Sequence, residues 1–346
     1  MNGLQSENQS FFPPGELYEM ASTGRLKGLR AVRRDLVGEW LTESVTAETV
    51  SRRLTAFNRS VVLAVLRAHV REYPWLEECT FLEFGSGGRD EHVPGSDQDN
   101  GLIVRGNPDQ DELEEACQDI VVALDGAGIP LCPGEVMVSN PQWRGTPDEW
   151  LDRLSGWLAN PAEKGPWQSG LILDFLPVFG PGGEALALLG RLREFVRTRP
   201  MVVARLADEL TDYRLPITMF GSLITEKSGP HAGTLDLKHS VQAHITNAAR
   251  ILSLKHGMPE SNTCDRLRAL QADGHVSSRH GMALLAGWEY LQRKRITLGL
   301  ELEEAGTQPH SRIDPGALSG DERSTLKDAI RAAEKLVRLV QAGSSL

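Results

Sequence analysis

The sequence is poor in cysteine, in aromatic residues and in long apolar runs. Its 346 residues include four cysteines, Cys79, Cys117, Cys132 and Cys264, and no two of them have the C-x-x-C spacing of a zinc ribbon or a redox motif. Four cysteines over this length do not resemble a disulfide framework, so reduced thiols in a cytosol are expected. No apolar run approaches the ~18 residues that a membrane-spanning helix needs. These absences exclude a disulfide-rich secreted domain and a membrane bundle.

Positive charge is also scarce. The chain has 37 Lys and Arg residues against 47 Asp and Glu residues, which gives a formal net charge of −10. A protein that binds duplex nucleic acid usually carries a basic domain or stripe, so no nucleic-acid partner is expected. The N-terminal residues MNGLQSENQSFFPPG have neither the basic nor the apolar region of a secretory signal. We therefore predict a cytoplasmic protein without a membrane partner.

What is present divides the chain into four segments. Residues 1–14 are polar and end in two prolines, which predicts a loose tail. Residues 15–73 show helical apolar spacing, residues 74–180 contain short apolar runs separated by Gly and Pro, and residues 184–346 are again helical. Strands that alternate with helices in residues 74–180 predict an α/β layer between helical segments.

Individual elements can be placed from the same patterns. The middle segment predicts strands at 79–84, 100–104, 135–138 and 171–176, with helices at 109–124 and 147–158. The last segment predicts helices at 236–256, 263–271, 278–302 and 321–341, which would form a bundle.

A glycine-rich turn follows the first predicted strand. Its residues are Gly85, Ser86, Gly87, Gly88 and Arg89. Glycines let backbone N–H groups approach an anion closely, and a helix that begins near Ser86 would point at the same anion. The Arg89 guanidinium could add a bidentate hydrogen-bonded contact to phosphate. These five residues are therefore predicted to bind a nucleotide through its phosphates.

Two carboxylates follow the turn and lead into the second predicted strand. Asp97 and Asp99 are two residues apart, so in an extended segment their side chains point to the same face. Paired carboxylates are hard oxygen ligands of the kind that Mg²⁺ prefers and shares with substrate phosphates. A Gly-Ser turn or an Asp-x-Asp pair alone is common, but the two together, between two strands, predict a metal and nucleotide site. This combination is what nucleotidyl transfer from an NTP requires.

This stretch resembles the DNA polymerase β nucleotidyltransferase superfamily, whose signature is Gly-Ser, then Asp-x-Asp, then a third carboxylate. The strings Gly-Ser-Gly-Gly-Arg-Asp-Glu and Ser-Asp-Gln-Asp-Asn are similar to a narrower bacterial family of predicted nucleotidyltransferases, related to the PII uridylyltransferases and the glutamine synthetase adenylyltransferases. The likeness extends through residues 131–150, 173–180 and 236–267 and spans roughly residues 15 to 302. It implies an α+β fold, in which a small mixed sheet with helices is flanked by N-terminal helices and a C-terminal helical bundle.

The resemblance makes Asp174 the third carboxylate. It stands inside an apolar, strand-like run, where an acidic residue is rarely buried unless it is paired or binds metal. The alternative is an edge-strand residue that faces water. In the first case Asp174 joins Asp97 and Asp99 as catalytic residues and metal ligands, either at a second metal or as the activator of the attacking hydroxyl.

Other polar residues carry weaker predictions. Asp90 and Glu91 either orient Arg89 or are solvated helix residues, and His92 is expected at the surface. In the helical segment, Lys238 and Arg250 either reach a nucleotide phosphate or an acceptor, or are solvated charges on a helix face. A second Gly-Ser, at 221–222, lacks a following carboxylate pair and is interpreted as a coincidence.

The function implied by the resemblance is Mg²⁺-dependent transfer of UMP or AMP from an NTP to an acceptor hydroxyl, with two Mg²⁺ ions as cofactors. The acceptor would be a protein, such as a PII-like regulator. Two alternatives stay open: a regulatory module that binds nucleotide without transferring it, and a nucleotidyltransferase that acts on a small molecule.

Overall fold

The computed structural model describes residues 11–13, 15–159, 170–210 and 215–344. Of the predicted tail at residues 1–14, only residues 11–13 belong to the described part. Within it, the ring of Phe11 packs against Trp40 and Phe57, with ring centroids 6.0 and 5.5 Å apart. This end of the described chain is therefore attached to the helices that follow.

The elements fall into three runs along the chain. The first contains the helices α1 (Glu16–Ser22), α2 (Leu29–Thr42) and α3 (Ala47–His69). The second contains β1 (Thr80–Phe84), α4 (Gly85–Gly88), β2 (Asn100–Ile103), α5 (Gln110–Gly126), β3 (Arg144–Gly145), α6 (Pro147–Ala159), β4 (Phe175–Phe179) and α7 (Gly183–Arg197). The third contains α8 (Pro200–Glu209), β5 (Leu235–Asp236), α9 (Ala243–Lys255), α10 (Thr263–Ala272), α11 (Ser278–Glu304), β6 (Arg312–Ile313) and α12 (Gly320–Ser344).

The sheet of the second run has the order β3-β2-β1-β4. β1 pairs antiparallel with both β2 and β4, whereas β2 pairs parallel with β3. All five residues of β1 are buried, as expected for a central strand covered on both faces. The predicted α+β fold, with a small mixed sheet between N-terminal and C-terminal helices, is confirmed.

Two strand predictions were wrong in detail. The apolar run at 135–138 forms a buried loop, because Asn100 donates its backbone N–H to the Val136 carbonyl and accepts the Val138 N–H on its side chain. The third strand lies instead at 144–145. Residues 171–173 form a short 3-10 turn rather than the start of a strand, so β4 begins after Asp174.

The helices follow the predicted patterns more closely, because their apolar residues recur on one face. α3 buries Val50, Leu54, Phe57, Val61 and Val65 against the sheet and the neighbouring helices. The helix predicted at 236–256 is entered through a π turn at Lys238–Gln242 and continues as α9. Among the described helices, none combines the length and the apolar character needed to cross a bilayer.

Candidate active site

The glycine-rich turn between β1 and β2 is packed tightly into the protein. Gly85 has a φ of +57°, and a Cβ atom there would lie 2.7 Å from Asp99 Oδ2. A Cβ atom on Gly88 would lie 2.3 Å from the carbonyl oxygen of Asp174. Glycine is required here because other parts of the protein come so close to the backbone. Of the five residues predicted to bind nucleotide, only Ser86 lines the cleft beside Asp97.

Asp97 and Asp99 lie together, as predicted, and Cys132 joins them. One ligand atom from each of the three lies within 4.8 Å of the others. The Cys132 thiol donates a hydrogen bond of 3.2 Å to Asp99 Oδ1. The main chain orients the pair, since Phe84 N donates to the Asp99 carbonyl and thereby fixes Asp99 beside the end of β1. Two carboxylates with a thiol form a donor set that fits a divalent cation.

The electrostatics of the pair favour a bound cation. Burial raises the pKa of Asp99 to about 7, and the charge of Asp97 adds to this shift. Burial, together with Asp99, also raises the pKa of the Cys132 thiol to about 12. Within the described residues, the Asp97 carboxylate has no hydrogen bond or ion pair. A cation placed between the carboxylates would remove the repulsion that disfavours two charges here.

The structure does not bring Asp174 into this group. Its carboxylate is fully buried and receives a bidentate contact from Arg266, at 2.5 and 3.1 Å, and a contact from Arg250 at 2.8 Å. Arg89 approaches it at 3.4 Å. Burial acts to raise the pKa of Asp174, but these arginines hold it far below its usual range. Asp174 is thus an ion-paired anion, and its role as a metal ligand stays a prediction.

Arg89 is likewise engaged inside the protein. Its Nε donates to the Glu91 carboxylate at 2.7 Å, and its carbonyl accepts from Asn262 at the start of α10. Glu91 is buried and also accepts the Thr263 N–H at 2.7 Å. Glu91 therefore orients Arg89, one of its two predicted roles, and is not a solvated helix residue. The phosphate contact of Arg89 stays a prediction.

Three other expectations need correction. His92 is buried rather than at the surface. Its backbone N–H donates to the Thr55 hydroxyl, and its ring Nδ1 accepts from the Asn58 side-chain amide. Asp90 lies beyond the last turn of α4, so it is not a helix residue. Its carboxylate pairs with Arg59 at 2.9 Å. The local sequence did not reveal these partners because they belong to α3, more than 30 residues earlier. Arg250 is not a solvated charge, since it pairs with Asp174.

A cleft of about 220 Å³ opens beside Asp97. It lies between the second run of elements, here called the sheet domain, and the third run, here called the helical domain. Ser86 and Asp97 line one side, and Lys238, Arg295 and Arg312 line the other. Asp236, at the end of β5, accepts the N–H groups of Lys238 and His239 and so fixes the start of the π turn. Sequence reasoning missed Cys132, Arg295 and Arg312 as residues near the site. Cys132 stands within residues 131–150, to which the family resemblance extends, but no pattern marked the two arginines as site residues.

Two family models match the chain, and together they include both sides of the cleft. The model described as "Putative nucleotidyltransferase DUF294" matches residues 31–164, which contain the turn, Asp97, Asp99 and Cys132. The model described as "Putative nucleotidyltransferase substrate binding domain" matches residues 200–343, which contain Lys238 and Arg295. No curated protein matches the chain. The two models together match most of the chain, which therefore belongs to the family described as "Putative nucleotidyltransferase DUF294" and has both of its domains.

Proposed function

We propose that the protein transfers a nucleoside monophosphate, UMP or AMP, from an NTP to a hydroxyl group of an acceptor, and that the acceptor is a regulatory protein. The observation that carries the proposal is the pair Asp97 and Asp99 beside the Gly-Ser turn, because Asp97 lines a cleft with cationic residues opposite. The sequence resemblance to the PII uridylyltransferases supports the protein acceptor and these nucleotides.

In the proposed reaction the carboxylates bind the metal and the turn binds the nucleotide. Asp97 and Asp99 hold Mg²⁺, with Cys132 orienting Asp99, and Ser86 contacts the triphosphate. When bound, Mg²⁺ stabilises the charge that develops on the attacking and leaving oxygens. The acceptor oxygen bonds to the α-phosphorus, the bond from that phosphorus to the β-bridging oxygen breaks, and pyrophosphate leaves. The hydroxyl proton passes to solvent.

Asp174 is assigned a different task from the one the sequence predicts. A carboxylate that three guanidinium groups surround is a poor base, because its pKa lies far below neutrality. We therefore assign Asp174 to holding the helical domain against the sheet domain. Service as a third metal ligand would require that it leave Arg250 and Arg266.

The test uses the full chain, Mg²⁺, α-labelled UTP or ATP, and lysate of the source cells as acceptor. Asp97→Asn and Asp99→Asn are compared with wild type, and Asp125→Asn, an exposed aspartate on α5, serves as the matched control. We expect a labelled protein band that both site variants and EDTA abolish and that the control retains. Label confined to products below protein size would contradict the protein acceptor and indicate a small-molecule acceptor.

A second candidate is a regulatory module that binds nucleotide without transfer. The enclosure of Asp174 by arginines favours it, because only two carboxylates then remain at the metal group of the described residues. Nucleotide binding by the wild-type chain, with no label transferred from either NTP, would identify this module.

A further inference from the structure

Two cations in the cleft make no direct contact with a carboxylate of the described residues. Within the described residues, Lys238 is exposed and its ammonium group makes no ion pair or hydrogen bond. Arg295 is half-buried and donates only to neutral oxygens: Ser311 Oγ at 3.1 Å, Gln242 Oε1 at 2.6 Å and Gln292 Oε1 at 3.1 Å. Most other arginines near the site are paired with a carboxylate, as Arg89 and Arg250 are.

The carboxylates of Asp236, Glu91 and Asp97 attract the Arg295 guanidinium only from a distance. A guanidinium that is partly removed from water with no anion in contact is unfavourable, which favours an anionic ligand at this position. Burial lowers the pKa of Arg295 to about 10, which expresses the same cost. The side chains of Gln242 and Gln292 fix the guanidinium in place, since Gln242 Nε2 donates to Gln292 Oε1 at 2.6 Å. Arg295 is therefore held rigidly, and its second Nη atom, which donates to none of the described residues, can donate to a phosphate oxygen.

The size and position of the cleft define the anion. A volume of about 220 Å³ is below the roughly 300–1,000 Å³ of pockets that enclose a drug-sized ligand, so the cleft fits only part of a nucleotide. Ser86 and Asp97 line the same cleft as Lys238 and Arg295. A polyphosphate between these two sides would contact the cations on one side while its α-phosphate lies near the carboxylate pair.

We propose that Lys238 and Arg295 form the binding site for the β- and γ-phosphates of the NTP, so that the C-terminal domain completes the nucleotide site. This inference rests on the proposed function, because it assigns the leaving pyrophosphate to these two residues. It also assigns the C-terminal domain a nucleotide contact in addition to any acceptor contact.

The experiment measures tripolyphosphate binding to the full chain by isothermal titration in EDTA, where neither metal nor catalysis contributes. Lys238→Met removes an exposed cation, and Lys335→Met on α12 is the matched control. Arg295→Lys keeps the charge but loses the guanidinium that Ser311, Gln242 and Gln292 hold in place. We expect Lys238→Met and Arg295→Lys each to weaken binding about tenfold or more, which corresponds to about 1.4 kcal/mol, and the control to remain within about twofold. Circular dichroism confirms that each variant is folded.

Two results separate this inference from the proposed function. If no nucleotide is transferred but Lys238→Met still weakens tripolyphosphate binding and tripolyphosphate displaces NTP, the transferase proposal fails and the phosphate site stands. If transfer occurs while Lys238→Met and Arg295→Lys bind tripolyphosphate as the wild type does, the phosphate site is overturned and the transferase proposal stands.

Discussion

At the scale of single residues, the acidic side chains that the sequence groups together lie in opposite electrostatic surroundings. Asp99 lies beside another carboxylate and a thiol, and its pKa is raised to about 7. Asp174 lies among three guanidinium groups, and its pKa is held far below the usual range. Negative charge predominates at close range in the first arrangement, and positive charge predominates in the second. A cation is therefore attracted to Asp99 and not to Asp174.

This contrast predicts different effects on metal binding. Asp99→Asn should weaken Mn²⁺ binding at least tenfold, because one of two charged oxygen ligands is lost. Asp174→Asn should leave the affinity within about threefold, as should the exposed control Asp125→Asn. Electron paramagnetic resonance measures the Mn²⁺ affinity of each variant in a titration, under conditions where the variant is folded. Equal losses in Asp99→Asn and Asp174→Asn would restore Asp174 to the third-ligand role that the sequence predicts.

A second prediction concerns His92 and pH. Burial lowers its pKa to about 4 from 6.5, and Arg59 adds to the shift. The folded state therefore keeps His92 neutral, whereas the unfolded chain takes up a proton below pH 6.5. As pH falls from 6.5 toward 4, wild type should lose about 1.4 kcal/mol of unfolding free energy per pH unit relative to His92→Gln. Urea unfolding at pH 7, 6 and 5 measures this, with the exposed His231→Gln as control. A pH-independent difference between wild type and His92→Gln would refute it.

At the scale of elements, the turn between β1 and β2 is fixed by close packing. Gly88→Ala would place a methyl group 2.3 Å from the Asp174 carbonyl oxygen, which belongs to rigid backbone. We expect a loss of roughly 1–3 kcal/mol or more of unfolding free energy, because the backbone must shift. Gly190→Ala in α7, where a Cβ meets open space, should be neutral or stabilising by up to ~1 kcal/mol. Urea unfolding measures the unfolding free energies of both variants. Equal changes in Gly88→Ala and Gly190→Ala would show that the backbone of the turn shifts at no cost.

Elements were predictable where the pattern is local. The strand before the turn, the Asp97–Asp99 spacing and the amphipathic helices depend on neighbouring residues, and their predictions matched the structure. The strand expected at 135–138 failed because one distant residue, Asn100, satisfies that backbone instead of a strand partner. Asp174 was correctly singled out as unusual, but its partners Arg250 and Arg266 lie 76 and 92 residues away. No local pattern can contain such contacts.

At the scale of the whole molecule, the sheet domain and the helical domain share buried ion pairs. Asp174 of the first contacts Arg250 and Arg266 of the second, and Glu91 accepts the Thr263 N–H. α2 joins the same assembly, since Arg33 pairs with Glu303 of α11 at 3.3 Å. These contacts connect distant parts of the chain through groups that are costly to leave unpaired.

Asp174→Asn should therefore destabilise both domains together. Removing the charge leaves buried guanidinium groups uncompensated, and we expect a loss of about 3–5 kcal/mol. Asp328→Asn, which breaks the exposed pair with Arg331, should cost about 0–1 kcal/mol. Tryptophan fluorescence is compared with far-ultraviolet circular dichroism during urea unfolding. The seven tryptophans that contribute to it include Trp143 and Trp150 in the sheet domain and Trp288 in the helical domain. Separate transitions by the two probes would contradict a shared unfolding unit.

The Glu91 contacts have a consequence for how this family can diversify. Next to the glycine-rich turn, Glu91 accepts from Arg89 and from the Thr263 N–H with its carboxylate, and from Gln292 with its carbonyl. A recombination event that replaced either domain with that of a distant homologue would break this buried network beside the carboxylate pair. We therefore expect the two domains to be inherited as a pair, with any change of specificity arising by substitution at the rim of the cleft rather than by exchange of the helical domain.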